Sequence, residues 1–344
     1  MSSFARKLIF GLMGLVAVAI VIAVGALEWR FRAGREDVDR GWAQAAVTHL
    51  TDVGTTSTLE ILPLVDWTTA DPRLEGEAGI AYLIRTDHNT ILFDVGLNAG
   101  RRDPSPLLAN MQRLGISLDD VDTLVLSHAH LDHVGGLRWL RRGTFSLGND
   151  QLDLSGKRIF VPVDVTYPGV TPIISHRPTA IGPGVVTTGA IAAQLYMGRV
   201  EEQALAIRVR GKGVVLVVGC GHQGLSRILA RSTELFEEPL YGLLGGLHYP
   251  VPHGRVTTAG IDLQRLFVFG PLRGPTSADV TRNIGLLAAR KPAWVSLSSH
   301  DSSDDSVNAF RTAFGARYHD LKVGEWLKVA SLAHTVTAGQ AQPH

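Results

Sequence analysis

The chain has 344 residues, 45% of them hydrophobic, and its 33 basic and 32 acidic residues leave a formal net charge of +1. A balance so near zero leaves no electrostatic footprint for nucleic acid, and none is expected as a partner. Cys220 is the only cysteine, which excludes an internal disulfide and any cysteine-rich structural zinc module.

Residues 1–7 form a short tail with Arg6 and Lys7. Leu8 to Leu27 (LIFGLMGLVAVAIVIAVGAL) then carries no charge. A helix of that length just spans a hydrocarbon core of about 30 Å. Trp29 follows it like an interfacial anchor. The run is long for a signal-peptide core and has no small-x-small cleavage site at its end, so an uncleaved anchor is expected over 8–27. Arg6 and Lys7 oppose Arg30, Arg32 and Arg35 across the span. The default for a signal anchor places the rest of the chain on the exported, periplasmic or extracellular side. Residues 28–54 read as a stalk, 55–335 as the main domain and 336–344 as a C-terminal tail.

From Thr58 short apolar runs alternate with Gly, Pro and Asp. The pattern predicts strands over 58–65, 80–85, 90–94, 123–127, 158–163, 204–210, 213–218, 240–245, 293–299 and 322–328. It predicts helices over 104–114, 134–141, 224–232, 279–290 and 304–313. Hairpin-length and crossover-length connections are mixed, so the class is α/β or α+β with mixed sheets. Residues 249–278 read as a long loop, a lid.

Four of these strands run into a histidine. TLVLS leads to His128, GVVLVVG to Cys220 and His222, YGLLGG to His248, and AWVSLSS to His300. Strand C-terminal ends are where α/β architectures place ligands. In the loop HAHLDH (128–133), His128 and His130 fall on one side and can grip one ion. Asp132 and His133 point differently and can hold a second. Each site needs a ligand from elsewhere, and His222 and His300 stand where they could supply it. Imidazole with carboxylate suits two divalent ions, Zn2+ above all, with Mn2+ or Fe2+ as alternatives.

HAHLDH followed by Gly135 and Gly136 resembles the H-x-H-x-D-H signature of the metallo-β-lactamase fold, a hydrolase superfamily. ILFDVG (91–96) resembles that fold's upstream strand, whose aspartate, here Asp94, buttresses the histidine loop. GCGHQG, GGLH and the last strand-His are similar to the subgroup described as dihydropterin-ribofuranosylaminobenzene-phosphate synthase-like. Over roughly 58–330 the resemblance implies an αββα sandwich of two mixed sheets with a dinuclear site at one edge. One departure stands out: relatives follow the last histidine with Cys-Thr-Gly, whereas here Asp301, Ser302 and Ser303 follow His300. Ser302 and Asp305 are spaced like a capping box.

The expected activity is metal-assisted hydrolysis of an ester, amide or phosphoester of a small molecule by a hydroxide bridging the two ions. Asp132 is expected to ligate and orient, and His248 to meet a substrate oxyanion or phosphate. Arg255, Arg265 and Arg273 hint at an anionic substrate. Cys220 reads either as a small buried residue or as a thiolate near the metals. Two other readings compete: a non-catalytic metal-dependent sensor, and a dinucleotide fingerprint in GCGHQG (219–224), which matches G-x-G-x-x-G between a strand and a helix. Neither a phosphate-loop nor a serine-hydrolase motif occurs.

Overall fold

The computed structural model describes residues 3–271 and 273–330. The expected tail 336–344, the domain's expected last residues 331–335 and the first two residues of the chain lie outside them. The strands in chain order are β1 (Thr58–Val65), β2 (Ala81–Thr86), β3 (Thr90–Phe93), β4 (Thr123–Val125), β5 (Arg158–Val161), β6 (Ile173–Ile174), β7 (Thr179–Gly182), β8 (Val185–Thr187) and β9 (Ile191–Leu195). They continue as β10 (Gly198–Glu202), β11 (Leu205–Val209), β12 (Gly213–Val218), β13 (Leu240–Gly245), β14 (Thr257–Thr258), β15 (Ile261–Asp262), β16 (Trp294–Leu297) and β17 (Leu327–Ala330). The helices are α1 (Ser3–Gln44), α2 (Pro106–Leu114), α3 (Leu137–Leu140), α4 (Leu225–Leu235), α5 (Leu263–Phe269), α6 (Ser277–Ala288) and α7 (Asp304–Phe314).

One sheet has the order β17-β1-β2-β3-β4-β5-β6 and the other β16-β13-β12-β11-β8-β7. Each is antiparallel on one side and parallel on the other: β3, β4 and β5 run parallel, as do β12, β13 and β16. Period-two side-chain alternation builds the layers. Val215 and Val217 of β12 join Ile61, Ile84 and Phe93 in the core between the sheets. Their neighbours Val214, Leu216 and Val218 turn outward beneath Ile228, Leu287 and Phe310 of α4, α6 and α7. On the opposite flank, Leu62, Leu83 and Leu124 pack under Leu107 and Met111 of α2. The result is the four-layered αββα arrangement, with helices on both outer faces. The parallel strands carry the site, because all of them point their C-terminal ends to one edge.

Most predicted elements are present with frayed ends, and the strand predicted at 322–328 forms later, at β17. The sequence reading missed β6 to β10, which are short, and α1 as a single element. Residues 249–278 are not a structureless lid: they contain β14, β15 and α5. The N-cap of α7 lies one residue later than expected and lacks the reciprocal bond of a capping box. Ser303 caps α7 by accepting from the Ser306 amide, while the Ser302 hydroxyl donates to Asp301 at 2.8 Å.

The stretch read as a stalk does not stand off the domain. The helix that begins in the apolar segment continues unbroken to Gln44, and Phe31 and Val38 are buried against the body. Phe31 packs on Tyr196, ring centroids 5.9 Å apart, and Asp37 and Asp39 pair with Arg199 and Arg227. By length and composition α1 is able to cross a membrane, as an anchor or a signal sequence would. Truncation should therefore be sensitive to its end point. Removal of residues 1–27 is expected to leave the melting temperature unchanged. Removal of 1–54 strips Phe31 and Val38 from their seats and should cost about 3 kcal/mol or more. Thermal melts of the two truncations side by side check this.

Candidate metal centre

The histidine loop is built by its neighbours. Asp94 follows β3 at φ 60, a strained conformation for a residue with a Cβ. From there its carboxylate accepts the Ser127 amide at 2.7 Å and the Ser127 hydroxyl at 2.6 Å. It also receives His133 Nδ1 at 2.7 Å. Gly135 then turns the chain at φ 84, where a Cβ would collide with the Ser146 carbonyl.

These bonds set the tautomers. The Ser127 hydroxyl donates to Asp94, so His128 Nδ1, 3.0 Å away, donates to Ser127. In the same way the Ser298 hydroxyl donates to Asp66 at 2.6 Å and receives His300 Nδ1 at 2.6 Å. His128 and His300 thus present an Nε2 lone pair, the outer-partner pattern of metal-ligating imidazoles. Burial of His133 is instead outweighed by Cys220, Asp94 and Asp132, which hold its pKa well above the ordinary value until a cation takes the place of its proton. Burial holds the His128, His130, His222 and His300 imidazoles below their ordinary pKa, neutral as ligands must be. Burial raises the Asp132 carboxyl, but His133 and the other histidines outweigh it and keep the group ionised.

The sequence-predicted residues come together in two groups. His128, His130 and His222 form one, and Asp132, His133, His300 and Cys220 the other, with the ligand atoms of each within 4.8 Å of one another. His128 Nε2 lies 3.0 Å from His130 Nδ1. Cys220 Sγ lies 3.1 Å from His133 Nε2 and 3.2 Å from His300 Nε2, so the cysteine stands inside the cluster. It also groups with His222 and His248. Both ring nitrogens of His222 are buried without a hydrogen-bond partner among the described residues, as is Nδ1 of His248. Unpaired buried nitrogens are costly unless something binds them. A donor set of imidazole, carboxylate and thiol fits a divalent transition metal such as zinc. Burial pushes the Cys220 thiol well above its ordinary pKa, and a cation at the cluster is what would favour the thiolate.

His248 is placed differently from expectation. Its amide donates to Asp301 at 2.9 Å, and its Nε2 donates to the Gln264 carbonyl at 3.3 Å. That leaves Nδ1 as an acceptor, and burial lowers the ring's pKa to about 4. A neutral ring in this tautomer takes a hydrogen bond or a cation and does not donate to an oxyanion. Of the three arginines expected near an anionic substrate, Arg255 and Arg265 are spent on the carbonyls of Ser302, Pro250 and Pro275. Arg273 lines a cleft of about 540 Å³ beside His222 and His248, with Phe31, Arg35, Leu247 and Phe269.

Two acids that the sequence reading passed over organise the site. Asp66, fully buried, accepts from Tyr82 and Ser298 and so orients His300. Glu202, also fully buried, accepts the amides of Cys220 and Gly221 at 3.0 and 2.8 Å on one oxygen and that of His222 at 2.8 Å on the other. Burial pushes its carboxyl up to about 7, against the pull of those amides. The same amides would have to cradle a pyrophosphate if GCGHQG were a dinucleotide loop. With Glu202 already there, that reading loses its donors.

Residues 75–145, which include Asp94 and the whole HAHLDH loop, match the family model of the metallo-beta-lactamase superfamily. Over that stretch the chain carries the superfamily's histidine-loop signature. It is similar to the 7,8-dihydropterin-6-methyl-4-(beta-D-ribofuranosyl)-aminobenzene-5'-phosphate synthase of Methanocaldococcus jannaschii, at 25% identity over 58% of this chain and 80% of the relative. Among solved structures it superposes on a metal-dependent hydrolase of the beta-lactamase superfamily, with a TM-score of 0.56 and 22% identity, covering 79% of this chain and 100% of that one. A metallo-beta-lactamase fold protein from Bacillus subtilis matches with a TM-score of 0.50 and 14% identity over the same shares. Both likenesses establish the fold.

Proposed function

We propose that this chain is a membrane-anchored dinuclear metallo-hydrolase acting on an ester, amide or phosphoester of a small, anionic molecule. The observation that carries the reading is the pair of ligand groups at one sheet edge, with His222 nitrogens buried and otherwise unpaired. His128, His130 and His222 would hold one ion; Asp132, His133 and His300 the other, with Cys220 between them. Two such ions, Zn2+ above all, would supply a nucleophile from water at neutral pH and polarise the scissile bond. The rest falls to the protein. Asp94, Ser127, Asp66 and Ser298 fix the imidazoles, Glu202 fixes the loop that bears Cys220 and His222, and Asp132 orients the attacking water with its remaining lone pairs. His248, with a free Nδ1, accepts a hydrogen bond at the cleft wall. The apolar segment 8–27 anchors the chain, and 55–335 forms the catalytic domain on the exported side.

The full-length protein in detergent should carry about two transition-metal ions per chain and hydrolyse at least one member of a phosphodiester, phosphomonoester, lactone and β-lactam panel. A chelator should lower its melting temperature, whereas NAD should leave it unchanged. A chain with no metal, no metal-restored turnover and a melting temperature raised by NAD would reverse the assignment. Cys220→Ser should weaken metal retention by roughly tenfold or more, because sulfur lies within ligand distance of two imidazoles. Dialysis against a graded chelator series measures this directly.

A further inference from the structure

The cleft beside His222 and His248 has an unusual wall: the same helix that carries the apolar span. Phe31 and Arg35 of α1 face Leu247, Phe269 and Arg273 across it. We propose that the substrate is an amphiphile drawn from the bilayer that holds α1. Its phosphate-bearing head lies toward the histidine cluster, and its acyl tail leaves along Phe31 toward the membrane. This rests on the metallo-hydrolase reading and names its substrate class.

Helix geometry places the cleft mouth. Phe31 is four residues and Arg35 eight residues beyond Leu27, the last residue of the apolar run. At 1.5 Å per residue they stand about 6 and 12 Å from the edge of the hydrocarbon, Phe31 at the level of the headgroups and Arg35 just outside them. The helix is seated there by several contacts. Phe31 is 5% exposed, Glu28 pairs with Arg273 across the cleft rim, and Gly34 sits against Gln194 with no room for a Cβ. A mere tether would not need to line the cleft; here α1 supplies Phe31 and Arg35 to its wall.

The surface around the mouth has interfacial chemistry. Met197 and Phe267 are 63% and 45% exposed, and they are joined through a backbone bond of 3.1 Å. Tyr196, next to Met197, is the residue on which Phe31 packs. Trp29, on α1 itself, is also exposed. Exposed large apolar side chains grouped beside a membrane span belong at the headgroup boundary. Arg30, Arg32 and Arg35 follow the span, and Arg35 has no carboxylate partner among the described residues, its guanidinium lying over the Phe31 ring at 5.8 Å. Juxtamembrane arginines concentrate anionic headgroups. Behind the Glu28–Arg273 pair at its rim, the cleft therefore offers an apolar wall of Phe31, Leu247 and Phe269, one arginine without a carboxylate partner, Arg35, and a metal-capable cluster, the requirements of an anionic lipid-like ligand.

The test uses the full, metal-loaded chain in phosphatidylcholine vesicles doped with phosphatidic acid that carries a diazirine on its acyl chain. After irradiation, labelled peptides are mapped. Label is expected at Leu247 and at Val268–Phe269 inside the cleft, in addition to the span. Excess unlabelled phosphatidic acid should displace it, whereas inorganic phosphate and phosphatidylcholine should not. Arg35→Gln should reduce cleft labelling by about fivefold, the worth of one juxtamembrane arginine. Label confined to the span and the exposed rim, or displaced by inorganic phosphate alone, overturns the amphiphile assignment. The soluble-substrate panel on the same preparation separates the two readings. Turnover with an unlabelled cleft rejects the lipid and keeps the hydrolase, whereas a chain without metal or turnover rejects the hydrolase and this inference with it.

Discussion

His222→Ala is expected to retain about one metal ion fewer per chain and to lose turnover beyond the roughly 10–100-fold that loss of an outer partner costs. The effect on stability should appear only with metal. In the metal-free chain, both His222 ring nitrogens are buried and unpaired, and each such group costs about 1–3 kcal/mol. Removing the ring relieves that cost, offset by the packing it provided beside His128 and His130. The metal-free variant should therefore melt close to the parent. In the metal-loaded protein the variant forfeits a ligand, and with it the stabilisation that binding contributes through linkage, so it should melt clearly lower. A variant that keeps the parent's metal content while melting lower without metal would show that His222 only fills space. Elemental analysis together with melts in chelator and in zinc reads both arms.

Glu202→Ala should give the largest loss of stability among substitutions at non-ligand positions of the site. The carboxylate satisfies three loop amides at once. Deleting it leaves three buried donors without partners, which at about 1 kcal/mol or more each lowers the melting temperature by roughly 10 °C. Glu202→Gln retains a carbonyl for the Cys220 and Gly221 amides but turns an NH2 toward the amide of His222, donor against donor. It should fall between parent and alanine in stability. Because the loop it holds carries Cys220 and His222, both variants should also bind metal more weakly than a distant substitution of equal stability cost. Loss of stability without weaker metal binding would confine Glu202 to a structural part. Paired melting and chelator-competition measurements on the two variants decide between these outcomes.

The local features of this protein were readable from its residues. HAHLDH with its glycines marks a tight metal-capable loop because four donors within six positions have few other uses. The unbroken apolar run from Val214 to Val218 marks a strand covered on both faces. Four strands ending in histidine give the common edge, since parallel strands bring their C-terminal ends together. What the tertiary structure decided depends on partners far apart in the chain. Asp66 reaches Ser298 only because two sheets stack, and Glu202 meets the loop at 220–222 only because the antiparallel β11–β12 register, with Leu205 opposite Val217, carries it there; an acid in PLVDW or RVEEQ carries no local periodicity that would distinguish it. Cys220 could be read as filler or as ligand until His133 and His300 closed around it from separate sheets. The helix at 28–44 read as a stalk because its buried face is narrow: Phe31 and Val38 are seven residues apart, two turns on one side, and the remaining positions are largely polar. Hydrophobic patterning acts over neighbouring residues and fixes elements, whereas satisfaction of buried polar groups acts over space, and it is the latter that builds this site.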